Sequence, residues 1–582
     1  MSSELKPTVA QIIADCLARH GVEVMFSQCL PSAVLQAAED IGIKHFMYRT
    51  ENAGAAMADG FARMSGKVGV VSSQNGPAAT LLVPGLAEAL KASVPIVALV
   101  QDVNRREADR NAFQEFDHIA LFQGCAKWVR RVTEPTRVAE YIDMAFAVAA
   151  SGRPGPVALM LPADLLLERT DPPTARHANL GHFPLDRVVA DPARLDEAAS
   201  LLASARHPLI VAGGGVHLSH ACEQIAALQS DAQIPVMTTV MGKGAVDDRH
   251  PLSLGVTGYA QGKLSPTRYM KPLIDEADVI LLVGTRTNQN GTDSWKVYPK
   301  NARFIHIDVD GLEIGRNYEA LRLFGDAKLT LAALNDRLKG RRSRSTEMER
   351  RIADAKDKHA VDIASIETSD ASPIRPERMA ADLRKVLTPD TIVVADASYA
   401  TLWVACYLPS LRSGMRFITP RGLAGLGWGL PLAIGAKVSQ PRSPVLCMVG
   451  DGGFAHVWAE LETAARENTP VVLTVLNNGC LGYQKDAEDV KFGRHSDRCY
   501  FSPVDHAAIA RATGCRGVRI EKAADYLPAL RDALSRDETT VLDVVTDPLA
   551  YPPITFFDNL DTIREAKAKK LNELPAAEAT GR

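Results

Sequence analysis

The apolar run Pro444 to Val449 ends in Gly450-Asp451-Gly452-Gly453, after which Phe454, Val457, Trp458 and Leu461 recur at helical spacing. The pattern predicts a buried strand that passes through a glycine turn into an amphipathic helix. A second apolar run, Val471 to Leu476, then ends in Asn477-Asn478 and brings that pair to the same sheet edge. Strand, turn, helix and strand in this order call for a mainly parallel sheet covered by helices. A glycine turn also lets backbone approach a diphosphate at a helix N-terminus, and one carboxylate with one amide oxygen can hold a hard divalent cation.

The same alternation continues along the chain, so the expected fold class is α/β with three doubly wound parallel-sheet domains. The expected boundaries are 1–185, 186–345 and 373–550, with a solvated helical linker at 346–372 and a tail at 551–582. A chain of 582 residues with 46% hydrophobic content has room for several large cores. Its formal net charge of −3 offers no dominant basic face, which argues against nucleic acid or an anionic membrane as partner. Nine scattered cysteines without a Cys-x-x-Cys pair fit a reducing cytoplasm, and no leader or membrane-spanning run is expected.

Together, Gly450-Asp451-Gly452-Gly453 and Asn477-Asn478 resemble the thiamine diphosphate signature of the acetolactate synthase-like enzymes. Residues 45–96, including Thr50-Glu51-Asn52-Ala53-Gly54-Ala55 and Asn75-Gly76-Pro77, resemble the pyrimidine-binding domain of that superfamily. The resemblance implies a pyrimidine-binding, a central and a diphosphate-binding domain. It implies that Asp451, Asn478 and the carbonyl of Cys480 bind Mg²⁺. Glu51, which precedes the small-residue helix Ala53 to Ala62, would hydrogen-bond the cofactor's aminopyrimidine and work as an acid-base group through it. Gly422 to Pro431 resembles the loop that bends the cofactor, with Gly425 beside the wedge residue Leu426. Further contacts are implied at Gly76, Pro77, Ser398, Tyr399, Gly450, Gly452, Gly453 and Tyr483.

The middle block carries Val211-Ala-Gly-Gly214-Gly, Arg286 and His306-Ile-Asp308, features suited to a nucleotide, but no Gly-x-Gly-x-x-Gly fingerprint. In the acetolactate synthases the matching domain holds FAD, and in relatives ADP or nothing; all three stay open. Gln114 and Lys127 match positions near the flavin and the active-site entrance. Elsewhere the pocket departs from a dedicated branched-chain acetolactate synthase. The acceptor-selecting arginine falls at Asn290, the channel tryptophan at Ala487, and the pyruvate-pocket loop at Leu30-Pro31-Ser32. Arg421, beside the wedge loop, is a candidate clamp for a substrate carboxylate.

The activity implied is cleavage and ligation of carbon–carbon bonds on a 2-keto acid. The absence of a His-His pair near the first block's motifs favours carboligation over simple decarboxylation. A 2-hydroxyacyl-CoA lyase or oxalyl-CoA decarboxylase is the enzymatic alternative, with an acyl-CoA as substrate; a non-catalytic cofactor-binding regulator is the other. Since Glu51 and Asp451 lie in different blocks, the resemblance also implies a homodimer or homotetramer with active sites between subunits.

Overall fold

Every strand of the computed structural model, which describes residues 5–174 and 176–573, lies in one of three six-stranded sheets, all parallel. The first holds β1 (Val24–Ser27), β2 (Lys44–Met47), β3 (Gly69–Ser73), β4 (Ile96–Asp102), β5 (Trp128–Arg131) and β6 (Val157–Pro162), in the order β2-β1-β3-β4-β6-β5. The second holds β7 (Pro208–Ala212), β8 (Val236–Thr238), β9 (Ser253–Val256), β10 (Val279–Val283), β11 (Arg303–Asp308) and β12 (Ala320–Phe324), in the order β12-β11-β10-β7-β8-β9. The third holds β13 (Ile392–Ala395), β14 (Phe417–Ile418), β15 (Val445–Gly450), β16 (Val472–Asn477), β17 (Arg516–Ile520) and β18 (Thr540–Val545), in the order β14-β13-β15-β16-β18-β17.

Central strands such as β10, β6 and β13 are buried along their whole length, as a sheet covered on both faces requires. The three sheets are the doubly wound α/β domains expected from the alternating pattern. Numbered from its own first strand, the third sheet repeats the order of the first, 2-1-3-4-6-5, whereas the middle sheet follows the dinucleotide-fold order.

The first and third domains meet through equivalent helices, each following the second strand of its sheet: Glu51–Ser65 and Gly429–Ser439. A Cβ on Gly60 would stand 2.3 Å from the carbonyl oxygen of Leu432, and one on Gly435 would stand 1.9 Å from that of Met57. Only glycine permits so close a reciprocal crossing.

Two segments read as peripheral are packed elements. Thr346–Glu367 is helical, as expected of the linker, but it is not merely solvated. Ile352 and Ala355 enter the central domain's core beside Leu209 and Ile280, and Ile363 packs with Met379 and Leu383 of the third. In the segment assigned to a tail, a Thr555–Phe557 turn and a Leu560–Glu573 helix cover the third domain, with Phe557 and Leu560 fully buried. Residues 574–582 lie outside the described ones. The amphipathic helix expected after Gly453 is broken into Asp451–Phe454, Ala455–Val457 and Glu460–Arg466. Phe454, Val457 and Leu461 stay buried, so the periodicity reported burial correctly while the backbone restarted at Glu460, whose carboxylate is used elsewhere. No described helix is long and apolar enough to cross a membrane.

Candidate active site

A cavity of about 620 Å³ opens at the carboxyl edge of the third sheet, where β13 and β15 lead their chains in opposite directions. Asp396 to Ala400 line it after β13, Gly450 to Gly453 after β15, and Asn478 with Cys480 to Gln484 after β16. Two helix starts face it. Ser398 precedes the Tyr399–Tyr407 helix with a left-handed φ of 64° and makes no side-chain cap; Gly450 precedes the Asp451 turn, also uncapped. The N–H groups that open the helix after Ser398 suit an anionic ligand, whereas at the second start the Gly452 N–H is taken by the Asp451 carboxylate.

Asp451 is buried, and burial pushes its carboxyl up to about 6, against the bonds it accepts from the N–H groups of Gly452 (2.8 Å) and Gly479 (2.7 Å). A cation beside it would relieve that cost. Asn478 Oδ1 accepts from Cys480 N–H at 3.2 Å, and the Cys480 carbonyl accepts from Gly482 N–H at 3.0 Å, leaving each oxygen a second lone pair. Among the described residues no cluster of three His, Cys, Asp or Glu side chains is arranged for a metal. The Asp451 carboxylate, the Asn478 amide oxygen and the Cys480 carbonyl are donors of the kind a hard cation prefers.

Tyr399 begins the helix that follows Ser398. Its hydroxyl donates to Asp486 Oδ2 at 2.6 Å, inside a buried network with Lys485 and Arg564, so only its backbone N–H is left for a ligand. Tyr483 lines the cavity edge-on to Tyr399 and Phe557.

The Gly422–Trp428 segment is held by two buried carboxylates. Glu88 accepts from the N–H groups of Gly422 (2.6 Å), Leu423 (2.6 Å) and Ala424 (3.2 Å); Asp396 accepts from Gly427 (3.0 Å) and Trp428 (3.0 Å). Leu426, between these anchors, lines the cavity, and Gly425 packs on the Trp428 ring.

The first-domain residues lie elsewhere. Leu30, Pro31, Glu51, Gly76, Pro77 and Gln114 occupy the carboxyl edge of the first sheet, and none lines the large cavity. Glu51 starts its helix 6% exposed, with no side-chain partner among the described residues. Burial raises its carboxyl above the usual range, its own N–H opposes this, and the charge of Glu460 adds to it. Gln114 accepts from the Gln74 amide at 2.7 Å and packs against Gly76, whose φ is 61°. Lys127 reaches neither region: its ammonium donates to the carbonyls of Val148, Ser151 and Arg153 near the end of the Val138–Ala150 helix.

A second cavity, of about 300 Å³, opens where β7 and β10 of the middle sheet part, with Gly214, Arg286 and Asp308 in its wall. Gly213 and Gly284 approach backbone to backbone there; a Cβ on Gly213 would stand 2.3 Å from the Gly284 oxygen. Burial pushes Asp308 up to about 6, and burial followed by the charge of Arg153 lowers Arg286. Arg421 and Asn290 line both cavities, whereas Ala487 lines neither.

Three family models match the chain in the order of its sheets: the thiamine pyrophosphate enzyme N-terminal TPP binding domain over residues 7–121, the central domain over 195–334, and the C-terminal TPP binding domain over 396–544. A probable acetolactate synthase large subunit of Methanococcus aeolicus is 33% identical over 97% of this chain and 96% of its own. The chain belongs to the thiamine pyrophosphate enzymes, of the acetolactate synthase type. The acetolactate synthase isozyme 2 large subunit of Escherichia coli is 30% identical over 93% of this chain and 96% of its own.

For a thiamine pyrophosphate enzyme, the residues that sequence reasoning missed are mostly supports. Glu88 lies within an apolar helix, and Asp396 directly follows an apolar strand; an acid in such a place was the available signal. Glu460, fully buried, accepts from the N–H groups of Arg49 and Thr50 and so fixes the approach to Glu51. His118 accepts from Gly76 N–H at 2.9 Å and bonds Asp102 through its other nitrogen at 3.2 Å. Nothing in local spacing links His118 to Gly76.

Proposed function

We propose that this protein is a thiamine diphosphate- and Mg²⁺-dependent carboligase acting on 2-keto acids, with each site completed by two chains. One observation carries the reading: Asp451, Asn478, the Ser398 helix start and Leu426 converge on one cavity, while the buried acid Glu51, without a side-chain partner among the described residues, stands on another sheet's edge. Pairing the first-domain edge of one copy with the third-domain cavity of a second would bring Glu51 to the cofactor. The relatives, acetolactate synthase large subunits, support the reaction class.

In this reading Asp451, Asn478 and the Cys480 carbonyl would hold Mg²⁺, and the N–H groups after Ser398 would take the diphosphate. Leu426, fixed between the Glu88 and Asp396 anchors, would pack against the bound cofactor. Thiamine diphosphate would supply the nucleophilic carbon and the electron sink. Glu51, its proton affinity raised by burial, would hold the proton that the aminopyrimidine exchanges. The central cavity would take FAD or ADP if it holds a nucleotide, with the Arg286 guanidinium in its wall for a phosphate.

The test is reconstitution of stripped protein with Mg²⁺ and thiamine diphosphate, followed by a visible spectrum and product analysis with pyruvate, other 2-keto acids and a 2-hydroxyacyl-CoA. A flavin band with an acyloin or acetolactate product is expected. A colourless protein active only on the thioester would move it to the CoA lyases, and no cofactor-dependent turnover would remove the catalytic reading.

A further inference from the structure

Tyr259, Asn290, Arg421 and Ala424 line both cavities and so form the wall between them. In that wall the Arg421 guanidinium donates to Tyr259 Oη at 2.7 Å and lies 5.5 Å from the centre of the same ring. Among the described residues it forms no ion pair, and its hydrogen bond to the phenol is its one side-chain contact of that kind. Tyr259 is 9% exposed, and burial raises its phenol, so it stays neutral. Its oxygen accepts from Arg421, and its own O–H donates to no described group. A guanidinium without a described carboxylate partner and a phenol with an undonated O–H thus stand together in the wall, and a charge so placed is matched by an anion.

The site is preorganised as well as unpaired. Arg421 directly precedes Gly422, whose N–H is fixed by Glu88 at 2.6 Å, and it lies on the segment that carries Leu426. A rigid support lowers the ordering cost of holding a planar anion. Guanidinium geometry suits a carboxylate, which it can take with two parallel N–H bonds.

We propose that Arg421, with the Tyr259 hydroxyl, clamps the carboxylate of the second carbonyl substrate, so that the acceptor is a 2-keto acid and not a neutral aldehyde. This rests on the carboligase reading. The acceptor is singled out because the donor's carboxylate must leave as neutral CO₂; a cation held on it would stabilise the ground state more than the transition state and slow its loss. The acceptor keeps its carboxylate throughout, so the same contact aids binding without opposing chemistry.

The experiment uses reconstituted wild-type, Arg421→Gln and Arg421→Lys proteins with saturating donor and either 2-oxobutyrate or propanal as acceptor. Arg421→Gln is expected to lower kcat/KM for 2-oxobutyrate about 10- to 100-fold, the range for losing a charged hydrogen bond, while the value for propanal holds or rises. Arg421→Lys should fall between, since it keeps the charge and loses the fork. An unchanged ratio between the two acceptors in Arg421→Gln overturns the clamp. A second arm needs no turnover: ligand-detected NMR with oxamate, an unreactive carboxylate shaped like pyruvate. Binding by wild type and loss in Arg421→Gln support the proposal; equal binding, or none by wild type, overturns it. A wild type that binds oxamate through Arg421 yet turns over no keto acid would remove the carboligase reading and leave the anion site.

Discussion

The first and third sheets share one strand order, yet their carboxyl edges differ. The third gathers Asp451, Asn478, two uncapped helix starts and the Leu426 segment around a cavity of about 620 Å³. The first has Gly76 packed against Gln114 and two buried acids: Asp102, taken up by His118 and Arg131, and Glu51, which has no side-chain partner among the described residues. One scaffold thus carries two chemistries, because loop residues decide what a sheet edge does. The edges are also complementary: the third gathers oxygen and N–H donors for a charged ligand, and the first presents the unpaired acid Glu51.

The largest effect that tests this division is expected from Glu51→Gln. The amide keeps the size of the side chain and loses the proton, so turnover should drop at least about 100-fold. Cofactor affinity, read by tryptophan-fluorescence titration with Mg²⁺ and thiamine diphosphate, should stay within a few-fold, because the diphosphate donors lie on the other edge. Retained activity would end the catalytic assignment of the first edge.

Asp451 offers a pH test on the opposite edge. Its folded carboxyl sits at about 6 against an ordinary 3.8, so the folded cofactor-free state binds the proton more tightly than the unfolded one. Stability should therefore fall as pH rises from about 4 to about 6 and stay lower above, by about 3 kcal/mol from this group. Urea melts of cofactor-free protein across that window, compared with Asp451→Asn, isolate the contribution. The variant should lose this part of the slope, and added Mg²⁺ with thiamine diphosphate should stabilise wild type more than the variant. Identical slopes would mean that Asp451 carries no buried charge.

A smaller effect probes where the two domains touch. In Gly435→Ala the added methyl meets the Met57 backbone oxygen at 1.9 Å, and neither helix can yield without moving the other. A loss of about 1 to 3 kcal/mol is expected, measured by chemical denaturation. Gly42→Ala sets a reference for added bulk, since a Cβ there meets nothing within 4 Å, although its φ of 85° carries its own strain. Equal losses at the two positions would show that the crossing is loose.

How much of this was legible in sequence depends on the distance over which each signal acts. The strand and glycine turn at Gly450, the acid at Asp451 and Asn478 after β16 are local signals, and all three line one cavity; Asn477 turns away, its amide bonded to Val504 and Asp543. The Leu426 segment was legible as a glycine-rich loop, but the carboxylates that hold it were not, because Glu88 lies on another domain and Asp396 after another strand. The break after Gly453 escaped notice because burial keeps its period through three short helical pieces. Lys127 was read from its match to relatives, whereas its ammonium is taken up by the carbonyls near a helix end, a tertiary contact with no local trace.

Tyr399→Phe gives the smallest expected change and the sharpest check on the third edge. The hydroxyl bonds Asp486 at 2.6 Å, away from any ligand, while Lys485 and Arg564 still pair that carboxylate after its removal. A stability loss of about 1 kcal/mol is expected from one hydrogen bond. Thiamine diphosphate affinity should not change, since only the backbone N–H of Tyr399 faces the cavity as a donor. If the variant instead bound the cofactor tenfold more weakly, the phenol would have to turn from Asp486 to the diphosphate on binding. The third edge would then be induced by its ligand, and its contrast with the first would lie in mobility more than in fixed donors.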